Sequence, residues 1–170
     1  MLEMKLHYWS DIRNIKNFGD ELNPVIWSRL LPGFFDDSPE ELFLGIGTIL
    51  NSELPRARRT VVMGSGCGYG KPPEKAQIDT WSIYCVRGMM TAKLLGVPSE
   101  LVATDPAIMI HDLYGGAEAP TCDFAYMPHW TNMDASWKGL CEDIGIRLID
   151  PLGSVDEIIT AIKQSSSLSD

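Results

Sequence analysis

Residues 60–70 read TVVMGSGCGYG and residues 81–98 read WSIYCVRGMMTAKLLGVP. The first stretch is a short apolar run, 60–63, released into a glycine-rich loop. The second is another apolar run, 82–86, that passes through Arg87 and Gly88 into Met90 and Leu94 at helical spacing, with Gly96 and Pro98 as the stop. Short continuous apolar strands, separated by loops and helices, are the pattern of a parallel sheet covered on both faces.

Working outward, strands are predicted over 5–9, 42–46 and 101–103. Asn23 followed by Pro24 suits a helix cap and first helical residue, with the helix running to about Leu31 before Pro32-Gly33. A further helix is predicted over 48–54, and Asp105-Pro106 repeats the cap-and-proline pattern. Gly115-Gly116 and then Pro120 mark a hinge, so the expected domains are 1–115 and 116–170. Beyond the hinge a strand is predicted over 124–127 and a second over 146–149. Trp137, Leu140, Cys141 and Ile144 share one helical face, and Ser154 with Glu157 forms a capping-box pattern before a last helix. The final SSSLSD reads as a frayed polar end. The fold class is α/β with a mainly parallel sheet; the short C-terminal segment either joins the first sheet or begins a second.

Composition narrows the function. The 170 residues are 45% apolar and 22% charged, an ordinary globular balance. With 23 acids against 14 bases the formal charge is −9, and a basic face for nucleic acid is not expected. The densest basic cluster, Arg56, Arg58 and Arg59, reads as a solvated loop before a strand. No apolar run approaches the roughly 20 residues of a transmembrane helix. Cys67, Cys85, Cys122 and Cys141 show no CxxC or Cys/His ligand spacing, so no metal site is expected; they read as packed, reduced thiols of a cytoplasmic protein.

Ligands of open parallel sheets bind beyond the C-terminal ends of the strands. The residues to weigh are therefore those after each strand: the loop holding Asn17, Gly19 and Asp20, the loop from Gly64 to Gly70, Arg87, Asp105 and His129. On a single parallel sheet all five would face one edge. The loop with Gly64, Ser65, Gly66 and Gly68 could present backbone N–H groups to an anion, or be a plain turn-rich connection. It matches neither the dinucleotide fingerprint, whose third glycine falls one residue from Gly68 or Gly70, nor a P-loop. Arg87, before a helix start, could clamp a carboxylate or phosphate, or pair with a surface acid. Asp105 reads as a cap or as a functional carboxylate. His129 reads as a structural histidine or as a general acid; His7 and His111 read as structural. Asn17 and Asp20 organise a turn and a helix entry. Alone, these residues describe an anion-binding α/β protein.

Six segments in order carry a more specific resemblance: NFGDELNP at 17–24, FLGIGT at 43–48, GSGCGYG at 64–70, VRGMMT at 86–91, TDPA at 104–107 and MPHW at 127–130. Together they resemble the polysaccharide pyruvyl transferase family over most of residues 5–163. The resemblance implies two Rossmann-like domains in a glycosyltransferase-B-like arrangement, the first complete and the second only begun. It implies phosphoenolpyruvate as donor substrate, with no cofactor, and transfer of pyruvyl to a glycan or lipid-linked sugar as a ketal in exopolysaccharide biosynthesis. Arg87 matches the family's strand-end arginine and His129 a proline–histidine segment, which makes these two the implied catalytic residues. Gly64, Ser65, Gly66, Gly68, Arg87 and Asp105 are the implied donor and anion-binding set, and Asn17, Gly19 and Asp20 shape the cleft. Family members continue past the helix matching 156–163 into a strand and a His-Gly motif, so turnover by these 170 residues alone is not expected. Two other readings stand beside this one: a glycosyltransferase using a nucleotide sugar, and a non-catalytic anion- or partner-binding remnant that self-associates as a homo-oligomer through an exposed apolar face.

Overall fold

Leu42, Phe43 and Leu44 lie in a strand buried on both faces, and that strand sits inside a six-stranded sheet. The computed structural model describes residues 4–10, 15–116 and 118–169. Residues 11–14, ahead of the loop holding Asn17, and Asp170 of the polar end lie outside the described residues. The sheet comprises β1 (Met4–Leu6), β2 (Phe35–Asp36), β3 (Glu41–Leu44), β4 (Arg59–Met63), β5 (Trp81–Arg87) and β6 (Val102–Ala103). Their order is β2-β1-β3-β4-β5-β6 and every pairing is parallel. The fold is α/β and Rossmann-like. Its described residues form two compact units, one drawn from Met1–Ser10 and Leu22–Ile110, the other from Asp11–Glu21 and His111–Asp170.

In the first unit the core gathers Leu42, Leu44, Ile49, Leu50, Val62 and Val86, with Ala92 and Leu95 from helix α3 (Gly88–Leu95). Gly96 ends α3 in the left-handed conformation, as the sequence predicts. Phe34, Phe35, Phe43 and Trp27 form an edge-to-face aromatic cluster, with Trp27 and Phe43 centroids 4.9 Å apart. A Cβ at Gly45 would stand 1.8 Å from Trp27 Nε1, so the strand exit must be glycine for the indole to lie there. The basic cluster is less free than its composition suggests: Arg58 pairs with the buried carboxylate of Glu41.

Two predicted elements change. Helix α1 (Phe18–Leu30) begins well before Pro24, which lies inside it. Asn17 is the effective cap: its Oδ1 accepts from the Asp20 N–H at 3.2 Å, and its carbonyl accepts from Glu21 N–H at 3.0 Å. An interior proline costs a helix on the order of 3 kcal/mol. Burial of Leu22, Ile26 and Trp27, and a pair of bonds from Asn23 described below, carry the helix through it. Residues 48–54 form turns and no helix, because their backbone donors are taken elsewhere: Leu50 N–H bonds Gly66 O at 3.1 Å and Ser52 N–H bonds Lys71 O at 2.9 Å. A short helix, α2 (Lys75–Ile78), leads into β5.

The second unit carries α4 (Ile110–Tyr114) from His111 onward, β7 (Cys122–Tyr126), α5 (Ser136–Asp143), β8 (Arg147–Leu148), α6 (Val155–Lys163) and β9 (Ser165–Ser169). Its sheet has the order β8-β7-β9, all parallel. The serine run expected to fray is thus a strand, with Cys122 opposite Ser165 and Phe124 opposite Ser167. The Ser154–Glu157 capping box forms as predicted at the start of α6, whose Ile158, Ile159 and Ala161 are buried. Tyr126 and Trp137 rings lie 4.7 Å apart between β7 and α5.

Candidate functional site

Because the six strands run parallel, their exits share one edge: β3 leaves into Gly45, Ile46, Gly47 and Thr48, β4 into Gly64–Gly68, β5 at Arg87, and β6 into Thr104 and Asp105. These exits are stitched to each other. The fully buried Ser65 donates from Oγ to Gly45 O at 2.7 Å, while Arg87 N–H donates to Ser65 O at 3.0 Å. Gly66 N–H bonds Gly47 O at 2.9 Å, Gly64 N–H bonds Cys85 O at 2.9 Å, and Cys67 N–H bonds Thr91 Oγ1 at 3.2 Å. The amide groups of Gly64, Gly66 and Cys67 are therefore committed inside the protein. What the loop gives beside Arg87 is clearance.

The clearance is around Arg87. Its Nη1 donates to Asp105 Oδ2 at 2.7 Å and its Nη2 donates to the hydroxyl of Thr48. Asp105 Oδ1 meanwhile accepts from Ala107 N–H at 2.9 Å, capping the 3₁₀ turn Pro106–Met109. Asp105 is thus a cap through one oxygen and the ion-pair partner of Arg87 through the other. The two side chains are 31% and 35% exposed, so their ion pair is worth no more than about 1 kcal/mol. A guanidinium has five N–H donors. Two are engaged by Asp105 and Thr48, which leaves three for a ligand at a partly open position beside the start of α3. A Cβ at Gly66 would stand 3.0 Å from Arg87 Nε and 3.2 Å from Nη2, and one at Gly68 would stand 2.7 Å from Thr48 Cγ2. Burial pushes the thiol of Cys67, in the same loop, up to about 11, which disfavours its thiolate near neutrality.

Asn17, Gly19, Asp20 and His129 fall in the second unit. Phe18 N–H donates to Pro151 O at 2.9 Å, which ties the start of α1 to the loop after β8. Asn17 Nδ2 donates to Asp20 Oδ2 at 2.6 Å. Burial pushes the Asp20 carboxyl up; the Asn17 bond opposes this and the Glu21 charge adds to it. His129 follows β7 past the buried Pro128 and caps the 3₁₀ turn Trp130–Asn132. Its Nδ1 accepts from Thr131 N–H at 3.4 Å and shares a 2.8 Å hydrogen bond with Thr131 Oγ1, in which the ring tautomer decides the donor. The single sheet on which all five strand-end loops would face one edge is not formed: His129 follows β7, a strand of the second sheet.

Thr48 and Thr91 were not among the sequence candidates. Thr48 sits in the stretch predicted as helix; its local signals are that it follows Gly47 at a strand exit and closes the FLGIGT segment. Among the described residues no cluster of His, Cys, Asp and Glu is placed to hold a metal ion, and no helix is long and apolar enough to cross a membrane.

The chain is 41% identical over 166 residues to the succinoglycan biosynthesis protein ExoV of Rhizobium meliloti (strain 1021), a match covering 95% of this chain and 52% of that protein. This chain therefore spans about half the length of that relative. No family model matches the sequence, and no solved structure matches it.

Proposed function

We propose that this chain is the donor-binding half of a polysaccharide pyruvyl transferase acting in exopolysaccharide biosynthesis. The similarity to a succinoglycan biosynthesis protein supports the biosynthetic setting, and the six-segment resemblance supports the reaction. The observation that carries the reading is Arg87: a partly open guanidinium at a parallel sheet edge, held by Thr48 and Asp105 with donors to spare.

The reaction converts phosphoenolpyruvate and a sugar diol into a cyclic ketal and inorganic phosphate. The methylene carbon takes a proton and becomes a methyl group. One sugar oxygen adds to C2, the C2–O bond to phosphate breaks, and the second sugar oxygen closes the ring, the two hydroxyl protons being released to acceptors. Such a donor carries a carboxylate and a phosphate, and a planar guanidinium can hold either through two parallel bonds. Fixed positive charge also eases departure of the phosphate. Arg87 takes this binding role. His129 is the residue of its own sheet edge suited by type to proton transfer.

The test is calorimetric titration of phosphoenolpyruvate into the 170-residue chain and into Arg87→Ala, with a nucleotide sugar as the competing donor. Binding that Arg87→Ala weakens more than about tenfold, or about 1.4 kcal/mol, supports the reading. Binding of the nucleotide sugar alone overturns it in favour of glycosyl transfer. A folded chain that takes neither places the donor site outside these residues.

A further inference from the structure

We infer that Thr48 and Gly66 are positioning residues for Arg87, one by contact and the other by absence. The inference rests on the reading above only for the identity of the ligand.

Three observations combine. The guanidinium is gripped at both ends, by Asp105 at Nη1 and by the Thr48 hydroxyl at Nη2. Two anchors on different nitrogens fix the plane of the group as well as its location, which a single ion pair would not do. The remaining edge, Nε with Nη2, faces Gly66, where a methyl group would stand 3.0 and 3.2 Å away. Those are the distances at which a hydrogen-bond acceptor would stand, so a side chain there would occupy the approach of an oxyanion to that edge. Gly66 does not adopt a positive φ, so backbone conformation does not demand glycine. The missing side chain answers to the space beside Arg87.

Thr48 is fixed from behind. A Cβ at Gly68 would stand 2.7 Å from its Cγ2, so that glycine leaves room for the threonine methyl while the hydroxyl turns to Arg87. Asn23 holds the neighbouring Ile46 backbone at both its N–H and its carbonyl. Threonine offers both an acceptor and a methyl group at this position; serine keeps the acceptor and valine keeps the shape.

The experiment reads the guanidinium directly. Arg87 is labelled with ¹⁵N, its Nε–H signal assigned by Arg87→Lys, and rotation of its Nη groups measured in wild type, Thr48→Val and Thr48→Ser. Slow rotation is expected in the wild type and in Thr48→Ser, and rotation faster by at least tenfold in Thr48→Val. Fast rotation in the wild type, or unchanged rotation in Thr48→Val, overturns the role of Thr48 whatever the ligand is. Phosphoenolpyruvate and inorganic phosphate are then titrated into wild type and Gly66→Ala, with circular dichroism as the check on folding. Loss of at least tenfold in affinity in a folded Gly66→Ala supports the clearance role, and equal affinity overturns it. A wild type that binds phosphate but not phosphoenolpyruvate overturns the donor reading while leaving the positioning intact; a wild type that binds neither overturns the clearance role as well.

Discussion

Asn23 is fully buried and spans from α1 to the exit of β3, its Nδ2 donating to Ile46 O at 3.0 Å and its Oδ1 accepting from Ile46 N–H at 2.8 Å. Replacing it with alanine strands two buried backbone groups. An unsatisfied buried donor or acceptor costs about 1–3 kcal/mol, so the pair should cost about 2–6 kcal/mol. Typical domains have about 5–15 kcal/mol in total. In urea, a loss of about 3 kcal/mol with a slope of about 2 kcal/mol/M lowers the midpoint by about 1.5 M. Asn23→Asp sharpens the test. Its carboxylate still accepts from Ile46 N–H but faces Ile46 O with no donor, so its folded pKa should rise above the usual value of about 3.9. The variant is then destabilised near neutrality, and the penalty shrinks as pH falls below the raised folded value and is gone below about 3.9. An Asn23→Ala midpoint within about 0.5 M of wild type, at unchanged slope, would refute the reasoning: the Ile46 groups would then be finding other partners.

Burial, and then the charge of Lys5, lower the pKa of His7 below 6.5 in the fold. The neutral ring is the one the fold accommodates, so this contribution is present above pH 6.5 and is lost as pH falls from 6.5 through the lowered folded value. Urea midpoints of His7→Gln should accordingly vary less between about pH 7 and 5 than those of wild type. Cys67, pushed up to about 11 by burial, should resist alkylation in the native chain near neutrality and react once urea unfolds it; mass spectrometry of the labelled thiols decides, and rapid native labelling would mean the glycine loop opens. Gly45→Ala drives a methyl group into the Trp27 indole and should cost at least about 1–3 kcal/mol, with partial recovery in the double variant with Trp27→Phe. Equal melting temperatures for the two variants would show that the clash is relieved some other way.

The parts of the fold legible in sequence are those decided locally. Arg87-Gly88 opens α3 and Gly96 closes it, because those residues act within a turn of where they stand. The Ser154 and Glu157 cap is of the same kind. What failed was decided at a distance. Asn23 and Asn17 are equally good caps by type, and Pro24 points to the first; but Asn23 is claimed by Ile46, 23 residues on, and the cap passes to Asn17. The serines of β9 have little strand propensity of their own, and their backbone is ordered by β7, whose Cys122 pairs with Ser165. At the site, Arg87 and Asp105 were visible by their positions after strands. Thr48 was not: it closes the FLGIGT segment, but nothing local marks its hydroxyl, whose partner lies 39 residues further along.

Charge bears on how this site can recognise an anion. The sequence has a formal charge of −9, and the Arg87 cation already has the Asp105 carboxylate against it at 2.7 Å. Bulk field therefore repels a phosphorylated carboxylic acid, and any affinity must come from the unspent N–H donors at short range. Such contacts are screened little by salt, whereas the repulsion of the distant acids is screened within about 10 Å at 0.1 M. Phosphoenolpyruvate affinity should therefore hold level or rise slightly between about 0.05 and 0.5 M potassium chloride, spanning Debye lengths on either side of that distance. Asp105→Asn removes the local countercharge while keeping an oxygen for the Ala107 N–H. It should turn the same titration into one that weakens with salt, because Arg87 then acts as an uncompensated cation. A wild type whose affinity collapses over that range would mean that attraction comes from charge held elsewhere on the chain, and the donor-by-donor account of Arg87 would fail.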